Sequence, residues 1–414
     1  MEEVSNKHTK RNFILNLFEG TLFITGSSFI SAQTVLPALI SRLGGSNITV
    51  GLLGVVVWVG LFFPQIFAAR YAQTQAWKKT WAIRLGLIQR FVLLFAGMAI
   101  LIWGGSQPTL SLWLFLIFYG CYQILTGIAT PFWFDMFAKL TPIGLRGRLL
   151  GIRIALAGAG GFMGAFLLTW LFQSFGFPLS YSIAFAFTFI LQFISILLQY
   201  RLVEDVPSTT LPKQSLRKYL RQIQNILTAN KPFEKFLTTS IFLVLALMPS
   251  GFFTVYGLKY FHADETIIGQ FTLMIVLGQG IGGLINGYLA DHFGNKFALI
   301  VASSAMLGAS IVALTAPSLG WFMVSFALLG MNLGSELMIR QNLALEFSTV
   351  EQRSTYIGIM NTTLAPLYFA AILGGWIIET LGYTSVFLIG SICSAIGILL
   401  LIFAVREPRS TKPL

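Results

Sequence analysis

The sequence predicts an all-α polytopic membrane protein, with twelve transmembrane helices arranged as two pseudo-symmetric six-helix bundles. Three observations carry this. Of 414 residues, 56% are hydrophobic and only 10% charged, and the mean hydropathy is +0.78. Apolar runs recur along the whole chain, each long enough to cross a ~30 Å hydrocarbon layer as a helix rising ~1.5 Å per residue. The basic residues gather in alternate connections between these runs, as topology signals do. A β-barrel would give short segments of alternating polarity, which the sequence lacks.

The elements follow in order, with ends accurate to several residues. The polar, basic stretch 1–12 precedes a first helix at about 14–40, too long for a signal-peptide core, so no cleavage is expected. Helices at about 50–70 and 82–103 flank "ARYAQTQAWK". Those at about 110–138 and 149–172 flank a basic loop, and one at about 179–200 leads into the longest polar connection. A helix at about 236–260 follows, and then a pair at about 267–290 and 297–315 around "GYLADHFGNK". Helices at about 318–346, 355–380 and 383–405 complete the twelve.

Of the 27 lysines and arginines, 23 fall on the side of the termini, Arg153 being counted with the fourth-to-fifth connection. Only Arg42 and Lys259 fall on the other side, and Arg90 and Arg340 lie within spans. The bias predicts cytoplasmic termini in a plasma (inner) membrane. The net charge of +12 is therefore distributed over loops and is not a nucleic-acid face. Membrane lipids are the expected surroundings and a monomer the expected state.

The expected domains are an N-terminal bundle over 1–200, a cytoplasmic linker over 201–235 and a C-terminal bundle over 236–414. Within the linker, "SLRKYLRQIQNIL" at 215–227 sets Leu216, Tyr219, Leu220, Ile223 and Leu227 on one face. That pattern predicts a basic amphipathic helix on the anionic inner leaflet, or else a solvated linker helix. Ungapped overlay of the halves by 218 positions sets Gly51 on Gly269, Ala72 on Ala290 and Lys78 on Lys296. A second overlay, by 207, sets "TPIGLRGRLLG" on "STVEQRSTYIG". Two copied bundles are the architecture expected of a secondary transporter with its site between the halves.

In "GYLADHFGNK" (287–296), Gly287 is expected to admit a neighbouring helix and Gly294 to form the turn. The pattern Gly287, Leu289, Ala290, Asp291, Gly294, Lys296 resembles the signature loop of the major facilitator superfamily, and the twelve helices with a long central loop resemble it over essentially the whole chain. "FWFDMFAKLTPIGLRGRLLG" (132–151) is similar to a loop of bacterial members, many of unassigned function. The resemblance implies a gate in which Asp291 meets the start of the fifth helix, with Arg146 and Arg148 as partners. In the first-half copy Gln73 stands in the acid's place, which implies an asymmetric gate with its ionic part at Asp291. The bland alternative is that Asp291 orders a loop.

An ionisable group in hydrocarbon costs ~2.5–3.5 kcal/mol on insertion scales, so each demands a reason. Glu336 and Arg340 stand four apart in the tenth helix, acid first, suited to mutual neutralisation. The resemblance implies that this helix lines a central cavity, where the pair would handle substrate or protons. Glu19 is either cavity-facing or interfacial. Arg90, in a helix that the resemblance makes peripheral, is expected in a structural ion pair with Glu19 or Asp135, and Asp135 beside Arg146 at the gate. Gln33, Gln123, Gln279, Asn332 and Asn361 are candidates for substrate contact or for helix ties. Trp133 is a candidate for an apolar binding surface.

Other signals are declined. "GQGIGG" (278–283) fits a dinucleotide fingerprint but lies inside an apolar helix, where Gly278, Gly282, Gly283 and Gly287 suit close helix packing. No phosphate-binding Gly-Lys loop occurs. Three histidines, all near loops, give no metal site, and no cofactor or enzymatic activity is expected. The sequence therefore predicts a secondary active transporter, coupled to protons, exporting amphipathic compounds. The alternatives are uptake of a small polar nutrient and a non-transporting sensor or scaffold on the same fold.

Overall fold

The computed structural model describes residues 8–208, 226, 230–348 and 353–408; the amphipathic helix expected at 215–227 lies outside them except for Ile226. By density of contacts the chain divides into two units. One runs to Gly45 and takes in 56–208 and 268–270; the other holds 46–55, 230–267 and 271 onward.

The first unit is built from α1 (Thr9–Ser28), α2 (Val35–Arg42), α4 (Lys78–Trp103), α5 (Pro108–Leu140), α6 (Ile143–Ser174) and α7 (Leu179–Tyr200), with most of α3 (Asn47–Ala72). The second holds α8 (Lys231–Leu245), α9 (Phe252–Tyr260), α10 (Ile268–Phe293) from its fourth residue, α11 (Asn295–Thr315) and α12 (Leu319–Leu333). It continues with α13 (Glu336–Glu346), α14 (Arg353–Leu364), α15 (Ala370–Leu381) and α16 (Tyr383–Phe403).

Among the described residues, ten helical stretches are long and apolar enough to cross a membrane. The remaining two passes, α1–α2 and α8–α9, are each broken in the middle. In the first, Ser27 and Ser28 turn their hydroxyls onto the carbonyls of Phe23 and Thr25 at 2.9 and 2.7 Å, competing with the helix ladder just before the break. In the second, Pro249 and Gly251 interrupt the ladder. The tenth pass breaks at Gly334–Ser335 between α12 and α13, and the eleventh narrows to a 3-10 turn over Ala365–Phe369 at Pro366.

The copied architecture predicted from the overlays is visible in the packing. In the first unit α4 lies against α5 and α7, and α7 against α1. In the second α11 lies against α12 and α16, and α16 against α8. The third pass thus touches the fourth and sixth, and the sixth the first, in each set of six.

The second unit closes around aromatic rings. Phe271 stacks on Phe326 at 4.2 Å between centroids, and Phe253 meets Phe387 at 4.9 Å. Large apolar side chains also cover the outside, Leu284 at 78% exposure and Phe403 at 83% among them, which suits a surface bathed in lipid. The glycines of "GQGIGG" form a seam. A Cβ on Gly278 would strike the backbone of Ala327, and one on Gly282 the backbone of Met331. Gly330 and Gly334 on α12's side meet the backbones of Ile275 and Gln279 in return. Gly287 takes no part: a Cβ there would meet nothing within 4 Å, so its expected role in admitting a helix is overturned.

Candidate functional site

The first unit holds a partly open cavity of about 250 Å³. Glu19 and Phe23 reach it from α1, Gln89 and Arg90 from α4, Thr130 and Trp133 from α5, and Arg153 from α6. Glu19 is 3% exposed, so it faces the cavity and not the interface. Its Oε2 accepts from the Trp133 indole at 3.4 Å and lies 3.5 Å from Nη2 of Arg153. Arg153 also donates to the Asn16 carbonyl, and its guanidinium lies over the rings of Trp133 and Phe137 at 5.1 and 5.7 Å. Gly20 makes this possible, since a Cβ there would run into the guanidinium.

Arg153 corrects the sequence reading twice. It is buried, not a loop charge, because α6 begins at Ile143 and carries Arg153 three turns inward. It also takes the partner expected for Arg90. Arg90 has no ion pair among the described residues. Its Nε donates to the Gln192 carbonyl at 2.8 Å, and its Nη1 to Gly86 O and Gln89 Oε1 at 3.0 and 2.9 Å. The ring of Phe23 lies 5.3 Å from its guanidinium carbon.

Asp135 pairs with Lys78 at 3.5 Å and not with Arg146. Arg146 instead donates to the carbonyls of Thr141, at 3.0 Å, and Ala138, closing the end of α5, as basic residues do at helix C-termini. Arg148 and Gln73 are exposed. Glu204, which the sequence did not single out, is the ionic hub here: its carboxylate accepts from the backbone of Lys78 and Lys79 at 3.1 and 3.0 Å and from Lys139 Nζ at 2.9 Å. An anion at the start of α4 offsets the helix dipole and fills its orphan donors. Beside it, Asn12 exchanges two hydrogen bonds of 2.9 and 3.0 Å with the backbone of Val203.

In the second unit Glu336 and Arg340 are 4% and 2% exposed, with Oε1 and Nη1 3.4 Å apart, and Tyr368 hydrogen-bonds Arg340. The break at Gly334–Ser335 makes Glu336 the first residue of α13, where the helix N-terminus favours a carboxylate. An unbroken tenth helix, as the apolar run suggests, would deny it that. Asn332 donates to the Ala302 carbonyl at 3.0 Å and so ties α12 to α11. Gln123 donates to the Tyr119 hydroxyl of its own helix at 3.0 Å, and Gln33 lies in the break between α1 and α2.

The signature loop turns at Gly294, whose φ of +92° is open to glycine and strained for other residues. Asn295 is buried and donates to Glu346 Oε1 at 2.8 Å, while Lys296 donates to the Ile402 carbonyl at 3.1 Å. Asp291 stands exposed on the last turn of α10.

Residues 252–414 match the sequence profile of the Major Facilitator Superfamily. That match covers less than half of the chain, and the fold as a whole is shared with solved membrane transporters. A POT family transporter, solved in complex with 5-aminolevulinic acid, superposes with a TM-score of 0.72 at 13% identity, over 97% of each chain. A D-xylose-proton symporter does so at 0.69 and 14%, over 97% of this chain and 99% of that one. In sequence, the chain is 24% identical over 124 residues to the multidrug transporter AQR1 of Candida glabrata, a match covering 28% of this chain and 21% of that relative. The chain thus aligns with about a fifth of the length of that relative, and a shared fold says nothing of cargo.

Proposed function

We propose that this protein is a secondary active transporter that moves a small organic solute by alternating access and takes protons as its coupling ion. The observation that carries this is Glu19, a carboxylate buried on a cavity wall between the Arg153 guanidinium and the Trp133 indole. Buried ionisable groups on cavity walls mark ion and substrate pathways in membrane proteins. Protonation of Glu19 dissolves the pair and frees Arg153, which changes the charge that a solute meets. The likeness to a D-xylose-proton symporter supports the coupling ion.

In this reading both termini are cytoplasmic, supported by the excess of loop lysines and arginines on their side, which stands with Arg153 left out of the count. Asp291 carries the ionic part of the cytoplasmic gate, and the uncharged Gln73 leaves the other copy of the loop without one. Glu336 and Arg340 form a second charge pair that responds to the transport cycle. Direction is export of amphipathic compounds, supported by the rings of Phe23, Trp133 and Phe134 on the cavity wall and by the likeness to a multidrug transporter. The polar groups of Gln89 and Thr130 on the same wall favour the second reading, uptake of a small polar solute.

The test is flux of a labelled solute panel in proteoliposomes with and without an imposed pH gradient. Glu19→Gln is expected to keep solute exchange and lose gradient-driven accumulation. Absence of flux under every ion gradient overturns the proposal.

A further inference from the structure

We infer that the cavity of the first bundle binds a small organic monoanion, a carboxylate held by Arg90, and this rests on the transport reading above. Three ionisable side chains line the cavity: Glu19, Arg90 and Arg153. Glu19 lies 3.5 Å from Arg153 and also feels the charge of Arg90, so two guanidiniums share one carboxylate and the cavity carries one surplus positive charge. A surplus buried charge is expensive and marks a site that an incoming counter-ion would complete.

Arg90 is built to receive it. A guanidinium carries five N–H donors. Three are spent on Gln192 O, Gly86 O and Gln89 Oε1, which fix the plane of the group over Phe23. The two on Nη2 have no acceptor among the described residues, although Arg90 as a whole is only 3% exposed and lines the cavity. Held by main-chain carbonyls and a neighbouring amide, the group cannot swing away to find a partner elsewhere. The acceptor has to come to it.

Charge and volume set the class. A single surplus positive charge suits a monoanion; a phosphate monoester would leave a negative charge unmatched. An apolar cavity of about 150 Å³ holds a benzene molecule, so about 250 Å³ admits one ring or a short chain together with a carboxylate. The rings of Phe23 and Trp133 face the apolar body. The expected cargo is therefore an amphipathic monocarboxylate.

Binding to the purified full chain in detergent, by calorimetric titration at neutral pH, uses benzoate, benzyl alcohol and benzylamine as probes of one size and three charges. Benzoate is expected to bind at least tenfold more tightly than benzyl alcohol, and benzylamine more weakly than either. Arg90→Gln is expected to abolish the preference for benzoate and Arg90→Lys to retain part of it. Should Arg90→Gln fail to fold, Thr130→Phe, which fills the cavity and leaves Arg90 in place, is expected to weaken benzoate at least tenfold. Equal binding of benzoate and benzyl alcohol, no binding of benzoate to the unaltered chain, or undiminished binding to Thr130→Phe overturns the inference. Because these titrations need no flux, they fail independently of the transport reading, which falls only if no solute moves under any gradient.

Discussion

Arg153→Met strands the Glu19 carboxylate in a place it cannot leave. The two groups are 3.5 Å apart and each is 3% exposed. At an effective dielectric of about 20 their attraction is about 5 kcal/mol, most of it spent against desolvation. Removing one partner of such a pair costs about 3–5 kcal/mol because the other charge stays buried. For a bundle of this size each kcal/mol lowers the unfolding midpoint by roughly 2–4 °C, so the single variant should unfold roughly 6–20 °C below the parent. Glu19→Gln should cost a similar amount by leaving Arg153 alone. The double variant, in which neither charge is present, should recover at least half of the loss. The assay is thermal unfolding of the detergent-solubilised protein, followed by tryptophan fluorescence and repeated at high salt, which should change little for a buried pair. Losses that add within about 0.5 kcal/mol, with no recovery in the double variant, would refute the pairing.

The seam between α10 and α12 predicts opposite fates for two glycines of one helix. Gly282→Leu forces a side chain into the backbone of Met331 and should cost about 1–3 kcal/mol or more, seen as lost monodisperse protein on size exclusion. Gly287→Ala meets nothing within 4 Å and should be neutral or stabilising by about 1 kcal/mol in the same thermal assay. Asn295→Ala removes the 2.8 Å hydrogen bond to Glu346 and should destabilise by about 1.5–3 kcal/mol, with a midpoint shift to match. Asp291→Asn should change the labelling rate of single cysteines placed in the loops around it; unchanged labelling together with unchanged flux leaves Asp291 a loop-ordering residue.

The helices were legible because their cause is local: a run of apolar residues of membrane length is visible in any window, and the sixth helix is observed over the expected 179–200. The breaks within α1–α2, α8–α9 and α12–α13 were not. Averaged hydropathy is indifferent to one proline or a few serines, although Pro249 and Ser27 decide where the ladder ends. The cavity was harder still. Glu19 could be picked out as an acid in hydrocarbon, but its partner lies 134 positions away, on a helix that starts six residues before the expected 149. One sign was present: Gly20, beside Glu19, is the gap through which Arg153 reaches it. Arg90 showed no such sign, because two of its three acceptors are main-chain carbonyls, which every residue possesses.

The contact of bare backbone on bare backbone along α10 and α12 leaves no layer of side chains to act as a lubricant. Neither helix can slip or roll by itself without prising main chain from main chain, so the two should travel as one plank whenever this half moves. Changes in cargo preference that arise by mutation would then accumulate on the helices around that plank and leave the plank itself untouched.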